Sequence, residues 1–199
     1  MKIKKIEAFV NKERRIIVAD GEDCQWILFS KACYPLYGLP RMTNLAFFAM
    51  FDITQDKWAK YYFNEVSLPE NVSFEDVVPD EHVLDRGAIR IGLGGHTLEP
   101  LVTSQGLIFF DVRYLAPFAD DDNYELYERT ATDGSPYIAV KRGMELTGVI
   151  LPHEVVDEDF IETLTNLLDL SRVALENQQK RCADAGEEQM TMEECRQVK

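Results

Sequence analysis

Cysteine and histidine are scarce in this sequence, and neither is spaced for an obvious site. The four cysteines, Cys24, Cys33, Cys182 and Cys195, form no C-x-x-C pair. That excludes a compact disulfide framework and a cysteine-rich zinc module, and the four are read as reduced thiols. His82, His96 and His153 are the only histidines, with no H-x3-5-H pair among them, so no structural zinc is expected. Apolar runs are short: none approaches the roughly 20 residues of a membrane helix. Residues 1–5 lead straight into alternating residues rather than the apolar stretch of a signal peptide. A cytoplasmic protein is expected.

Positive charge is the second shortage. There are 21 Lys and Arg against 35 Asp and Glu, a formal charge of −14. The only basic strip is residues 1–15, with six cations against two carboxylates. Duplex binding needs clustered Lys and Arg that displace counterions from phosphates, so direct nucleic-acid binding is not expected. Carboxylates gather instead: seven against one cation over 65–86, five against one over 116–130, and twelve against five over 151–199. Such blocks keep a protein in solution, and they can also steer a basic partner toward it.

Catalytic motifs are the third shortage. Gly92-Leu93-Gly94-Gly95-His96 lies between strand-like runs and matches neither phosphate-binding glycine pattern, so it reads as a turn. Asp120-Asp121-Asp122-Asn123 lacks the spacing of a calcium loop. Asp133-Gly134-Ser135-Pro136 lacks the G-x-S-x-G elbow and reads as a hairpin turn. No cofactor, no metal and no catalytic set is assigned on these grounds.

What the sequence does hold is 199 residues of ordinary globular composition, 46% apolar, enough for one or two cores without staples. Residues 3–10, 15–19 and 24–29 are expected to form an antiparallel meander, because β-branched and aromatic runs alternate with Asn, Asp and Gly turns. Pro35 demotes the next run to an edge strand. Thr43 or Asn44 can cap a helix through Phe51, with Leu45, Phe48 and Phe51 on one face. A second short helix follows Thr54, carrying Trp58, Tyr61 and Tyr62. Residues 65–86, rich in proline and carboxylate, read as a connecting segment. Six short strands between residues 88 and 151 predict a second antiparallel sheet. Pro152 ends it, and Asp157 caps a helix to about residue 180 whose stripe of Phe160, Ile161, Leu164, Leu167 and Leu168 is expected to pack on that sheet. The expected class is therefore α+β, divided into a meander with a helical pair (1–64), an acidic connector (65–86), a sheet with its helix (87–182) and a polar tail (183–199).

Cys24-Gln25-Trp26, the run from Ala32 to Pro40, Pro136-Tyr137-Ile138-Ala139-Val140-Lys141-Arg142-Gly143 and Gly148-Val149-Ile150-Leu151-Pro152 resemble uncharacterised proteins of bacterial phages and integrative elements. The resemblance implies a setting in which small acidic proteins act by binding other proteins, including inhibitors of host defence nucleases of the anti-CRISPR type. It transfers no site. The expected function is a non-enzymatic protein that meets the basic face of a partner through its acidic surface. The residues assigned to that contact are Asp120, Asp121, Asp122, Glu75, Asp76, Asp80 and Glu81, with Tyr37 as an aromatic anchor. The alternatives are an acid/base or metal-dependent enzyme using His96 with Glu99 or Asp111, and a structural or assembly accessory.

Overall fold

Residues 3–10 fit two periods at once. Ile3, Ile6, Phe9 and Val10 recur at spacings of three and four as well as falling among polar residues, and the helical period prevails. In the computed structural model, which describes residues 2–119 and 123–196 (the side chains of 182–196 excepted), they begin helix α1, Ile3–Glu13. Ile6, Phe9 and Val10 are its buried stripe, and Arg14 closes it in the left-handed region at φ 51°, its N–H bonded to the Val10 carbonyl at 2.7 Å. The first strand expected of the meander is thus a helix.

The meander proper follows as β1 (Arg15–Asp20), β2 (Gln25–Leu28) and β3 (Ala32–Pro35). Helix α2 (Asn44–Met50) comes next. It buries Phe47 and Phe48, while Leu45, assigned to the inner face, is exposed. The second helix is a 3-10 turn, Gln55–Lys60. It is followed by β4 (Tyr62–Val66) and the two-residue β5 (His82–Val83). The remaining strands are β6 (Ile91–Leu93), β7 (His96–Thr103), β8 (Gly106–Asp111), β9 (Tyr124–Thr130), β10 (Pro136–Arg142) and β11 (Glu145–Ile150).

The class is α+β with mainly antiparallel sheets. Among the described residues the strands form an eight-stranded sheet, β4-β1-β2-β3-β11-β10-β9-β5, and a three-stranded sheet, β6-β7-β8. Among the described strands of the large sheet, only the β1–β4 pair is parallel. The meander and the strands after residue 124 are therefore one surface, joined where Cys33 faces Val149 and Ala32 faces Ile150. Strand β3 is interior rather than an edge, with Pro35 at its end, paired to Trp26 of β2 only. Pro35 causes no lost ladder bond because the β11 pairing covers only Ala32 and Cys33, and Leu36 N–H, one residue on, returns to the Gln25 carbonyl at 2.8 Å.

Strand alternation then sorts the core onto two faces. Ile27, Ile138, Val140 and Ile150 meet α1, α2 and the 3-10 turn Val112–Phe118 on one face. There Phe9 lies 5.3 Å from Phe29 between ring centroids, and the buried Tyr34 hydroxyl donates to the Tyr114 carbonyl at 2.7 Å. On the other face Trp26, Cys33, Tyr137, Ala139 and Val149 are covered by Leu68, Val72 and Phe74. The acidic connector is thus the lid of the second core.

The chain divides into two units, Met1–Glu154 and Val155–Lys199. The second holds helix α3, Glu158–Arg196. Asp157 caps it as expected, its carboxylate accepting from Phe160 N–H at 2.8 Å. The helical backbone runs past residue 180 to Arg196. Ile161, Leu167, Leu168 and Leu175 are each more than half exposed, while Phe160 and Leu164 of the same stripe are half-buried. No helix among the described residues is long and apolar enough to cross a membrane.

Candidate functional site

A cleft of about 610 Å³ opens where the turn between β1 and β2 faces the connector. Four carboxylates line it, Glu22 and Asp23 from the turn and Glu75 and Asp76 from the connector, with Trp26 and Tyr37 among its walls and no Lys or Arg among its lining residues. All four acids are exposed. Phe74 meets Trp26 edge-on with ring centroids 4.8 Å apart.

Each wall is fixed locally. Gly21 N–H bonds to the Cys24 carbonyl at 2.9 Å, closing the turn. A Cβ on Gly21 would lie 2.9 Å from that carbonyl and from the indole nitrogen of Trp26, so glycine is what lets the turn lie against the ring. The connector is tied down by polar bonds to the sheet. The Tyr137 hydroxyl accepts from Ser73 N–H at 2.9 Å, and the Asp76 carboxylate accepts from Leu146 N–H at 2.8 Å. The Arg129 guanidinium donates to the carbonyls of Glu75 at 2.8 Å and Asp76 at 3.0 Å.

The electrostatics are one-sided. Burial pushes the Tyr37 hydroxyl up, and the neighbouring Asp76 carboxylate adds to it, so Tyr37 is a neutral donor beside carboxylates. Burial likewise raises the Cys24 thiol at the cleft wall, which keeps it protonated and a poor nucleophile. Carboxylates beside aromatic walls are the chemistry that holds guanidinium and ammonium groups, through charge-assisted hydrogen bonds and cation–π contact.

Three of the residues assigned from sequence, Tyr37, Glu75 and Asp76, are brought together here. Asp80 is exposed in the left-handed region at φ 64° and is not among the lining residues. Glu81 faces inward. Its carboxylate pairs with Lys141 and, at 2.7 Å, with Arg129, whose side chain is fully buried. Asp120, Asp121 and Asp122 lie outside the described residues. Glu22, Asp23 and Trp26 were not assigned from sequence; the short Asp20-Gly21-Glu22-Asp23 turn beside a strand tryptophan is the signal that could have found them.

The enzyme alternative named His96 with Glu99 or Asp111, and the two acids part company. Glu99 faces Arg86, which grips it at 2.6 and 2.8 Å, and Arg90 at 3.2 Å. Burial raises its carboxyl, but the Arg86 hydrogen bonds outweigh this and hold it below the usual range. Asp111 meets His96, with Nδ1 and Oδ2 2.6 Å apart. Comparison with family models, with curated proteins and with solved structures finds no match to this chain.

Proposed function

We propose that the protein is a binding protein that seats a basic segment of a partner protein in the cleft between the β1–β2 turn and the connector. The observation that carries this reading is the lining itself: four exposed carboxylates, the three aromatic residues Trp26, Tyr37 and Phe74, and no Lys or Arg among the residues that line the opening. A lysine or arginine side chain entering it finds a charge-assisted partner on either side and a ring to lie against. The net charge of −14 over the whole chain would speed the encounter at low ionic strength. The resemblance to phage and mobile-element proteins makes a nucleic-acid-binding face of a host defence nuclease the first partner class to examine, with inhibition as the consequence of occupying it.

The test is the affinity for purified nucleases of that class at low and high ionic strength. It compares the wild type with Glu22→Gln, Asp23→Asn and Glu75→Gln combined. Binding should weaken with salt and fall about tenfold in the triple variant, the effect of three exposed ion pairs at a fraction of a kcal/mol each. Binding that ignores the triple substitution would contradict the proposal.

A further inference from the structure

We propose that His96, Asp111 and His153 form a binding site for a divalent transition-metal ion of the zinc type, separate from the cleft and independent of the function proposed for it. The three residues come from distant parts of the first unit, and the fold converges them. His96 opens β7 and Asp111 ends β8, where Asp111 is paired with Leu98. That register puts His96 diagonally across from Asp111 on the same face of the hairpin. His153 arrives on the opposite edge of β8, its N–H bonded to the Phe109 carbonyl at 2.7 Å in an isolated antiparallel bridge. One donor atom from each of the three lies within 4.8 Å of the others, and the imidazole centroids are 5.0 Å apart.

Donor atoms bound at about 2.0–2.1 Å in a tetrahedral site stand roughly 3.3 Å from one another. The widest pair here must therefore close by about 1.5 Å, a movement within the reach of a histidine side-chain rotation. Two imidazoles and one carboxylate favour zinc, cobalt or nickel over calcium or magnesium, which prefer oxygen. Three protein donors leave one coordination position open to water.

An independent observation points to a ligand. His153 Nε2 is buried and has no hydrogen-bond partner among the described residues. A buried ring nitrogen left unpaired is uncommon in a folded protein, and an ion would occupy it.

Other charges face the cluster. Arg113 Nε lies 3.0 Å from Asp111 Oδ2 yet makes no aligned hydrogen bond, and the Arg113 backbone N–H donates to Oδ1 at 3.0 Å. Lys31 also acts on His153. Both cations oppose a dication, but Arg113 has an alternative hold on Tyr114, whose hydroxyl is 3.0 Å from Nη2 and whose ring lies 4.8 Å from the guanidinium. It can therefore release part of Asp111 without being left alone.

Zn²⁺ alone, added to chelator-treated full-length protein, is the probe. Calorimetry should show one Zn²⁺ per chain. Affinity should fall by about tenfold or more in His96→Ala and in His153→Ala, the least expected for a lost ligand when loss of a group that merely hydrogen-bonds a ligand already costs that much. Because either variant can unfold, the imidazole NMR signals of the wild type provide a second readout. Zn²⁺ should shift those of His96 and His153 and leave His82 unmoved. No binding, binding unchanged in the variants, or a shift confined to His82 would each overturn the proposal.

Discussion

Glu81 shows how far the role of a single carboxylate depends on what faces it. In the sequence it sits among seven acids of the connector, where a solvated surface role is the simple reading. In the fold its neighbours are Arg129 and Lys141, whose side chains are 0% and 3% exposed. The clue was present, because Tyr137, Ala139 and Lys141 share one face of β10 by parity, and a lysine on an apolar face needs a carboxylate. Which carboxylate answers is a long-range matter that sequence does not show. Glu81→Gln should leave two buried cations facing a neutral amide in place of their carboxylate, with Arg129 keeping only the Glu75 and Asp76 carbonyls, and destabilise by about 3–5 kcal/mol, measured by urea unfolding. Burial raises the Glu81 carboxyl, but the Lys141 and Arg129 hydrogen bonds outweigh it, so its folded value lies below the ordinary 4.5. Its contribution is therefore present above about pH 4.5 and is lost as the pH falls through the folded value. The gap between wild type and Glu81→Gln should narrow in acid. Gly148 is a second single-residue constraint. A Cβ there would lie 3.1 Å from Phe118 and 3.3 Å from Tyr34, beside the register shift at Val140/Lys141. Gly148→Ala should cost about 1–3 kcal/mol by overpacking, and an unchanged melting temperature would show that the rings yield freely.

At the scale of elements, local signals were legible and pairing was not. The strand breaks at Asp20–Asp23, Gly94-Gly95, Ser104–Gly106 and Asp133–Ser135 fall where the sequence places them, because turn chemistry is written in adjacent residues. Helix α1 departs from the strand expected there because Ile3, Ile6 and Val10 satisfy a strand as a run and a helix as a period; burial against the 3-10 turn Val112–Phe118 decides it. Ile6→Ala should therefore destabilise by about 2–5 kcal/mol. Leu168→Ala in α3, at a side chain 52% exposed, should leave the melting temperature of the first unit where it is. Equal losses in the two variants would mean that the leucine stripe of α3 is buried in solution. The β3–β11 junction, which fuses the meander with the later strands, pairs residues from opposite ends of the first unit, and no local pattern announces it. The same holds for His153, whose bridge to Phe109 is made by a residue beyond the last strand.

For the whole molecule, acidity was plain from composition while its organisation was not. The sequence offered acidic blocks and one anchor, Tyr37; the fold draws Glu75 and Asp76 from one block to that anchor, turns Glu81 inward, and adds Glu22 and Asp23 from a turn the blocks did not include. A cleft made of three chain segments is visible only once strands β1, β2 and β3 place the turn and Tyr37 opposite the connector. A protein of this charge attracts any polycation, so the decisive question is whether binding is confined to the cleft. The most direct measurement is a calorimetric titration with an arginine-rich peptide at two ionic strengths. It would compare the wild type with Glu22→Gln, Asp23→Asn and Glu75→Gln combined, and with a control that removes equal charge from the exposed Asp52, Asp56 and Asp85. Salt-sensitive binding of one peptide per chain, about tenfold weaker in the cleft variant and nearly unchanged in the control, is the expected result. Equal weakening in the two variants would mean that net charge alone attracts the peptide and that the cleft is not a site.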